Sequence, residues 1–215
     1  MKILVAYATR HGATKGIAER IAETLEETGL DVTLRSVDSA GPVEEFGACV
    51  IGSAAYLGGW LGEATTFVRR DREALAGRPV WLFSSGPTSS ETVDAKGRDL
   101  LKASEPKEFA EFVRTIRPRG EQVFFGRYDP DGTPVGLAER VMNWFIRLVP
   151  DARRSIPAGD FRDWPAIEAW AQAIGRELGA AGTMRLQTEE LEQRKWMSRP
   201  TNCAHRGHER IAPPP

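Results

Sequence analysis

The stretch that most restricts the fold is MKILVAYATRHGATKGIAER, residues 1–20. Residues Ile3 to Tyr7 are apolar and partly β-branched, the pattern of a strand buried on both faces of a parallel sheet. Thr9, Gly12 and Thr14 follow at once, after which Ile17, Ala18, Ile21, Ala22 and Leu25 recur at three- and four-residue intervals, as the apolar face of a helix does. The order is strand, tight loop, helix. A helix N-terminus carries unpaired backbone N–H groups and a partial positive charge, so an anion is satisfied there without a side-chain cation. Thr9 and Thr14 add hydroxyl donors. The same residues also suit a plain helix cap, and the two readings stand side by side at this point. Two other phosphate loops are excluded: neither GxGxxG nor GxxxxGK followed by Ser or Thr occurs here.

Two further strands end in loops of the same kind. DVTLRSV, from Asp31, alternates Val32, Leu34 and Val37 with polar residues and reads as an edge strand. Ala48 to Gly52 is a continuous apolar run ending in SAAYLGGW, where small residues let a backbone approach a flat ligand and Tyr56 and Trp60 offer rings to stack on it. A helix is predicted from about Leu61 to Leu75, with Phe67, Val68 and Leu75 inward and Arg69, Arg70 and Arg72 outward. Pro79 to Phe83 is a third apolar strand, closed by Ser84, Ser85, Gly86, Pro87, Thr88 and Ser89. In an open doubly wound sheet such strand ends converge on the ligand crevice. Three similar loops therefore point to one shared site.

The remainder of the chain adds a helix over Glu108 to Ile116, whose apolar members are Phe109, Phe112, Val113 and Ile116, and a last strand at Gln122 to Gly126. Between about 135 and 150, Leu137, Val141, Met142, Trp144, Phe145, Leu148 and Val149 crowd an apolar helix rimmed by Arg140, Arg147, Arg153 and Arg154. Such a helix serves either as a core cover with a basic rim or as a docking surface for a lipid-soluble partner or membrane face; base rates favour the cover. Asp163-Trp164-Pro165 is a helix-start signal, and Ile167, Trp170, Ala171, Ile174 and Leu178 form the inner face that follows. Folding is expected to finish near Gly179. Residues 180–215 read as a poorly ordered tail with at most a short helix around Glu189 to Trp196. Cys203, His205 and His208 lie close together in that tail, but three ligands without a fourth make no specific metal site.

A chain of 215 residues fits one α/β domain, here 1–179, better than two. The 29 basic and 30 acidic residues leave a net charge of −1, which excludes a global field drawing nucleic acid or anionic membrane. Cys49 and Cys203 give no disulfide framework, so a reducing compartment is expected. With no leader-like start and no apolar stretch near about eighteen residues, the expectation is a cytoplasmic protein, peripheral contact with the inner membrane face remaining open through Leu137 to Val149.

With the loops placed, the chain resembles the flavodoxin family over about residues 1–178: an α/β, doubly wound, five-stranded parallel sheet of order 2-1-3-4-5 with helices on both faces. YATRHGATKGIAERIA is similar to that family's phosphate loop, with Thr9, Gly12 and Thr14 matching and His11 standing where a hydroxyl residue is usual. ATRHGAT, VIGSAAYLGG and GRYDPDGTPVGLAERVMNWFIRL further resemble the menaquinone-dependent protoporphyrinogen dehydrogenase group. The resemblance implies FMN, with its phosphate at Thr9, Arg10, His11, Gly12, Ala13 and Thr14. Its ring would lie between Ser53, Ala54, Ala55, Tyr56, Leu57, Gly58 and Gly59 on one side and Ser84 to Ser89 on the other. Gly58 or Gly59 is the candidate for a peptide that reorients on reduction, and amides of the third loop would face the pyrimidine edge. No catalytic acid or base is implied, because the cofactor carries the redox chemistry. The function implied is oxidation of a reduced small molecule with a quinone as acceptor. A flavodoxin-type electron carrier is the alternative, although such carriers commonly have an acidic rim that this near-neutral chain lacks. A phosphoreceiver domain of the same fold is set aside, because Ala8-Thr9 and Gly52-Ser53 stand where its acidic residues belong.

Overall fold

The expected alternation of strands and helices is present in a computed structural model, which describes residues 1–89, 91–93, 96–129 and 158–197, with side chains as far as Ala181. Five parallel strands build the sheet: β1 (Lys2–Ala8), β2 (Asp31–Ser36), β3 (Ala48–Tyr56), β5 (Val80–Ser85) and β6 (Gly120–Phe124). A short β4 (Gly59–Trp60) pairs antiparallel with the end of β3. The sheet order is β2-β1-β3-β5-β6, which is 2-1-3-4-5 when the parallel strands alone are counted. Reversal of strand order beside β1 is what opens a crevice at the carboxyl ends of an open sheet.

Alternation along the strands sends residues to two apolar layers. Leu4, Ala6, Cys49, Ile51, Val80, Leu82 and Val123 join Ala64, Phe67, Val68, Leu75, Phe109, Phe112 and Ile116 in one core. These last seven come from or border α2 (Gly62–Arg70), α3 (Arg72–Ala76) and, after the short α4 (Leu100–Ala103), α5 (Phe109–Thr115). The opposite face carries α1 (Ala13–Glu27), whose Ile17, Ala18, Ile21 and Leu25 are fully buried. On that face Trp170 also meets Phe83 and Phe124, with ring centroids 6.2 and 5.6 Å apart.

Several boundaries differ from the sequence expectation. The helix expected over Leu61 to Leu75 is two helices meeting at Asp71, whose carboxylate takes both an Nε and an Nη2 bond from its neighbour Arg70. Val113 is exposed on α5, while Phe109, Phe112 and Ile116 turn inward at three- and four-residue spacing. Asp163 caps the last helix as expected, its carboxylate accepting the Ala166 N–H at 3.1 Å. That helix, α6 (Trp164–Met197), runs through the predicted end at Gly179, over residues rich in helix formers and free of proline.

The chain divides into two compact units, Met1–Arg176 and Glu177–Pro215. The first holds the whole sheet. In the second, residues to Met197 are helical. Among the described residues no helix is long and apolar enough to cross a membrane. The expected helix at 135–150 and the group Cys203, His205 and His208 lie outside the described residues.

Candidate functional site

Strand register brings the three loops to one edge. Ala8 pairs with Ser53, and Ser53 with Ser84, so β1, β3 and β5 release their chains at the same row of the sheet. Phe124 at the end of β6 lies opposite Ser85 and continues that row.

The first loop enters α1 through Gly12, which adopts the left-handed conformation (φ +81°) at the N-cap position. Gly12 offers no side chain, so the end of the helix is left without a side-chain cap, and the first-turn donors face the loop. Thr9 Oγ1 accepts the Gly12 N–H at 3.1 Å and thereby tightens the turn. Arg10, His11 and Gly12 are exposed, and Ala13 is half-buried. Thr14 is fully buried, and its hydroxyl has no hydrogen-bond partner. A buried hydroxyl without a partner costs free energy. A phosphate group at this helix end is the chemistry that would satisfy it.

The second loop is more ordered than its composition predicts. β3 continues to Tyr56, turns through Leu57 and Gly58, and returns as β4, with Tyr56 opposite Gly59. Leu57 (φ +50°) and Gly58 (φ +73°) are both left-handed, the signature of a two-residue type I′ hairpin. Leucine is a costly choice there, and it stands 91% exposed at the tip. Two groups brace the hairpin from the α5 side: the Lys107 N–H donates to the Gly58 carbonyl at 3.0 Å, and Glu108 Oε2 accepts the Trp60 N–H at 3.0 Å. Neither residue was expected at the site; nothing local distinguishes them from an ordinary polar helix start.

One sequence expectation is corrected here. Trp60 does not offer a stacking face: it is buried against Phe109 and Phe112, with centroids at 5.4 and 5.5 Å, because β4 returns it into the α5 layer. Tyr56 remains exposed beside the hairpin tip. The hydroxyls of Ser53 and Ser84 are also spent internally. Ser53 Oγ donates to the Ala54 carbonyl and accepts the Leu61 N–H at 3.1 Å, while Ser84 Oγ donates to the Ser53 carbonyl. They tie the strands together beneath the loops. Ala54 is buried and Ala55 half-buried above them.

The third loop is fastened on its far side. The Gly86 N–H donates to the Phe124 carbonyl at 2.9 Å, and the Gly126 N–H donates to the Pro87 carbonyl at 3.0 Å. With the Gly86 amide engaged and Pro87 lacking one, Thr88 and Ser89 carry the loop's further amides. Gly126 leads into β7 (Arg127–Tyr128), which pairs antiparallel with β8 (Gly159–Asp160). That ladder joins the two ends of the intervening segment next to the third loop.

Charge at this edge is local. Arg162 pairs with Asp160, and these hydrogen bonds hold the Asp160 carboxyl below the usual carboxylate range. Cys49, fully buried in β3, has its thiol pushed up to about 12 by burial and is no nucleophile at neutral pH.

A five-stranded parallel sheet wound on both faces, with an uncapped helix end and two further loops at its carboxyl edge, defines a doubly wound nucleotide-binding α/β domain. A family model described as a flavodoxin domain matches residues 4–153, and the chain belongs to that family. FMN is accordingly its cofactor, and the orphaned Thr14 hydroxyl at an uncapped helix end fits the phosphate. Among solved structures, the chain is similar to the rubredoxin oxygen:oxidoreductase of Desulfovibrio gigas, at 14% identity and a TM-score of 0.50, over 83% of this chain. It spans 36% of that protein's length. It is also similar to an archaeal flavodoxin (20% identity, TM-score 0.42, 71% of this chain and 99% of that one). Flavodoxin 2 of Bacillus cereus matches at 24% identity with a TM-score of 0.42, over 67% of this chain and 94% of that one. No curated protein matches.

Proposed function

We propose that the protein is an FMN-dependent oxidoreductase of the protoporphyrinogen dehydrogenase type, removing reducing equivalents from a reduced, planar organic substrate and passing them to menaquinone. The observation that carries this reading is the β7–β8 ladder, which roots a long additional segment beside the third loop, where a simple carrier needs none. The sequence of that segment, with Trp144 and Phe145 among its apolar residues, supplies the chemistry for a lipid-soluble acceptor or a membrane face. Near-neutral net charge agrees, since docking to redox proteins usually relies on a strong field.

When bound, FMN supplies the redox chemistry. The chain binds and orients it: the first turn of α1 and Thr14 take the phosphate, the Tyr56-Leu57-Gly58 tip flanks the ring, and Thr88 and Ser89 address its polar edge. Because Lys107 holds the Gly58 carbonyl, reorientation of that peptide would first have to break this bond. Protein reduced under anaerobic conditions and mixed with a menaquinone analogue tests the reading. Rapid reoxidation that rises with quinone concentration is expected, and W144S/F145S should slow it without releasing FMN. Quinone-independent reoxidation, with fast transfer to a redox protein instead, would establish the carrier alternative.

A further inference from the structure

The segment Phe161–Arg162 leaves the β7–β8 ladder and connects two of the three loops. At one end the Phe161 N–H donates to the Gly126 carbonyl at 3.1 Å, and Gly126 in turn is bonded to Pro87 of the third loop. At the other end the Arg162 side chain reaches α1, where Nη1 approaches the Ala13 carbonyl at 3.4 Å. We propose that Arg162 is a positioning residue for the phosphate end of the flavin site, holding the first turn of α1 in the form that discriminates FMN from riboflavin. The proposal rests on the FMN assignment and adds to it a residue outside all three loops.

Four observations place the guanidinium there by construction. Its side chain is only 11% exposed. Asp160 grips it through both carboxylate oxygens and also accepts the Arg162 backbone N–H at 3.2 Å, so its plane is fixed from its own strand end. The Trp164 ring lies beneath it, 4.4 Å from the ring centroid. Finally, α1 gives up a side chain to admit it: a Cβ on Gly16 would lie 2.5 Å from Arg162 Nη1. Glycine inside a helix is destabilising, so this position is set by the guanidinium rather than by helix propensity.

With Arg162 paired to Asp160, the charge left at the first turn is the partial positive charge of the α1 N-terminus, which favours an anion. The buried Thr14 hydroxyl in that same first turn, without a partner, is the independent sign that a ligand belongs there. A phosphate ester satisfies the hydroxyl, the first-turn amides and the local positive potential together. Riboflavin, lacking the phosphate, satisfies none of them.

The test is titration of the full chain with FMN and, separately, with riboflavin, following quenching of flavin fluorescence. Wild-type protein should bind FMN more tightly. R162Q should lose about tenfold in FMN affinity, the scale of one charge-assisted contact, while riboflavin affinity is unchanged. R162K should recover part of the loss, because lysine keeps the charge but not the planar fork. G16A, which leaves every charge in place and displaces the guanidinium, should show the same FMN-selective loss and serves where R162Q does not fold. Equal loss of both flavins in the folded variants, or loss of neither, would overturn the role of Arg162. Wild-type protein that binds neither flavin would instead overturn the cofactor assignment.

Discussion

Glu108 and Trp60, 48 positions apart, are joined by a hydrogen bond in which the Trp60 N–H donates to Glu108 Oε2 at 3.0 Å inside a buried pocket. The bond fixes β4, and β4 fixes the hairpin tip at the carboxyl edge of the sheet. E108A leaves a buried N–H without an acceptor and should destabilise the protein by about 1–3 kcal/mol. E108Q keeps an acceptor and should cost less. Urea unfolding of the two variants gives the comparison; equal losses would show that the bond does not hold the hairpin.

The turn at Leu57-Gly58 carries backbone strain. L57N should stabilise the hairpin by up to about 1 kcal/mol, since asparagine tolerates the left-handed region better than leucine. G58A should destabilise by about 1 kcal/mol. A Cβ at Gly58 meets nothing within 4 Å, so that loss would come from φ alone. Denaturation midpoints at constant slope would measure both effects.

Thr14 sets stability and binding against each other. T14V keeps the shape and removes the orphaned hydroxyl, so the protein without flavin should be as stable as wild type or more so. FMN affinity should nevertheless fall by roughly tenfold, as expected for losing one hydrogen bond to a charged group. Thermal melts with and without FMN would show a smaller ligand-induced rise for T14V; an equal rise would remove Thr14 from the phosphate site. A change at the exposed His11 should have a smaller effect.

Alkaline pH should weaken the fold through Cys49. Burial raises its thiol from an ordinary 9.0 to about 12, so the unfolded chain loses this proton first. The stabilisation is complete below pH 9 and lost as pH rises through the folded value. C49A should flatten that part of the stability curve, while also losing some packing. In C203S protein, a thiol reagent should label Cys49 only on unfolding.

Much of this architecture is legible residue by residue. Ile3 to Tyr7 and Ala48 to Gly52 announce buried parallel strands because a strand covered on both faces has no position for a polar residue. The 17-18-21-22-25 spacing of α1 and the Asp163 cap are equally local, and both appear in the structure. Trp60 and Glu108 were not legible. One reads as a ligand-facing ring and the other only as the first residue of a helix, until β4 folds back and α5 meets it. The Leu57-Gly58 hairpin was hidden because leucine is not a residue that signals a type I′ turn.

The opening twenty residues determine strand, loop and helix by themselves, since backbone pairing, helical period and small loop residues act over a few positions. What that loop faces was decided in three dimensions. Register places Ala8, Ser53 and Ser84 in one row, while Arg162, nearly 150 positions from Ala13, closes on the first turn of α1. Local sequence encodes which backbone groups are left unpaired; only the packing of distant segments determines which of them face one another across a shared site.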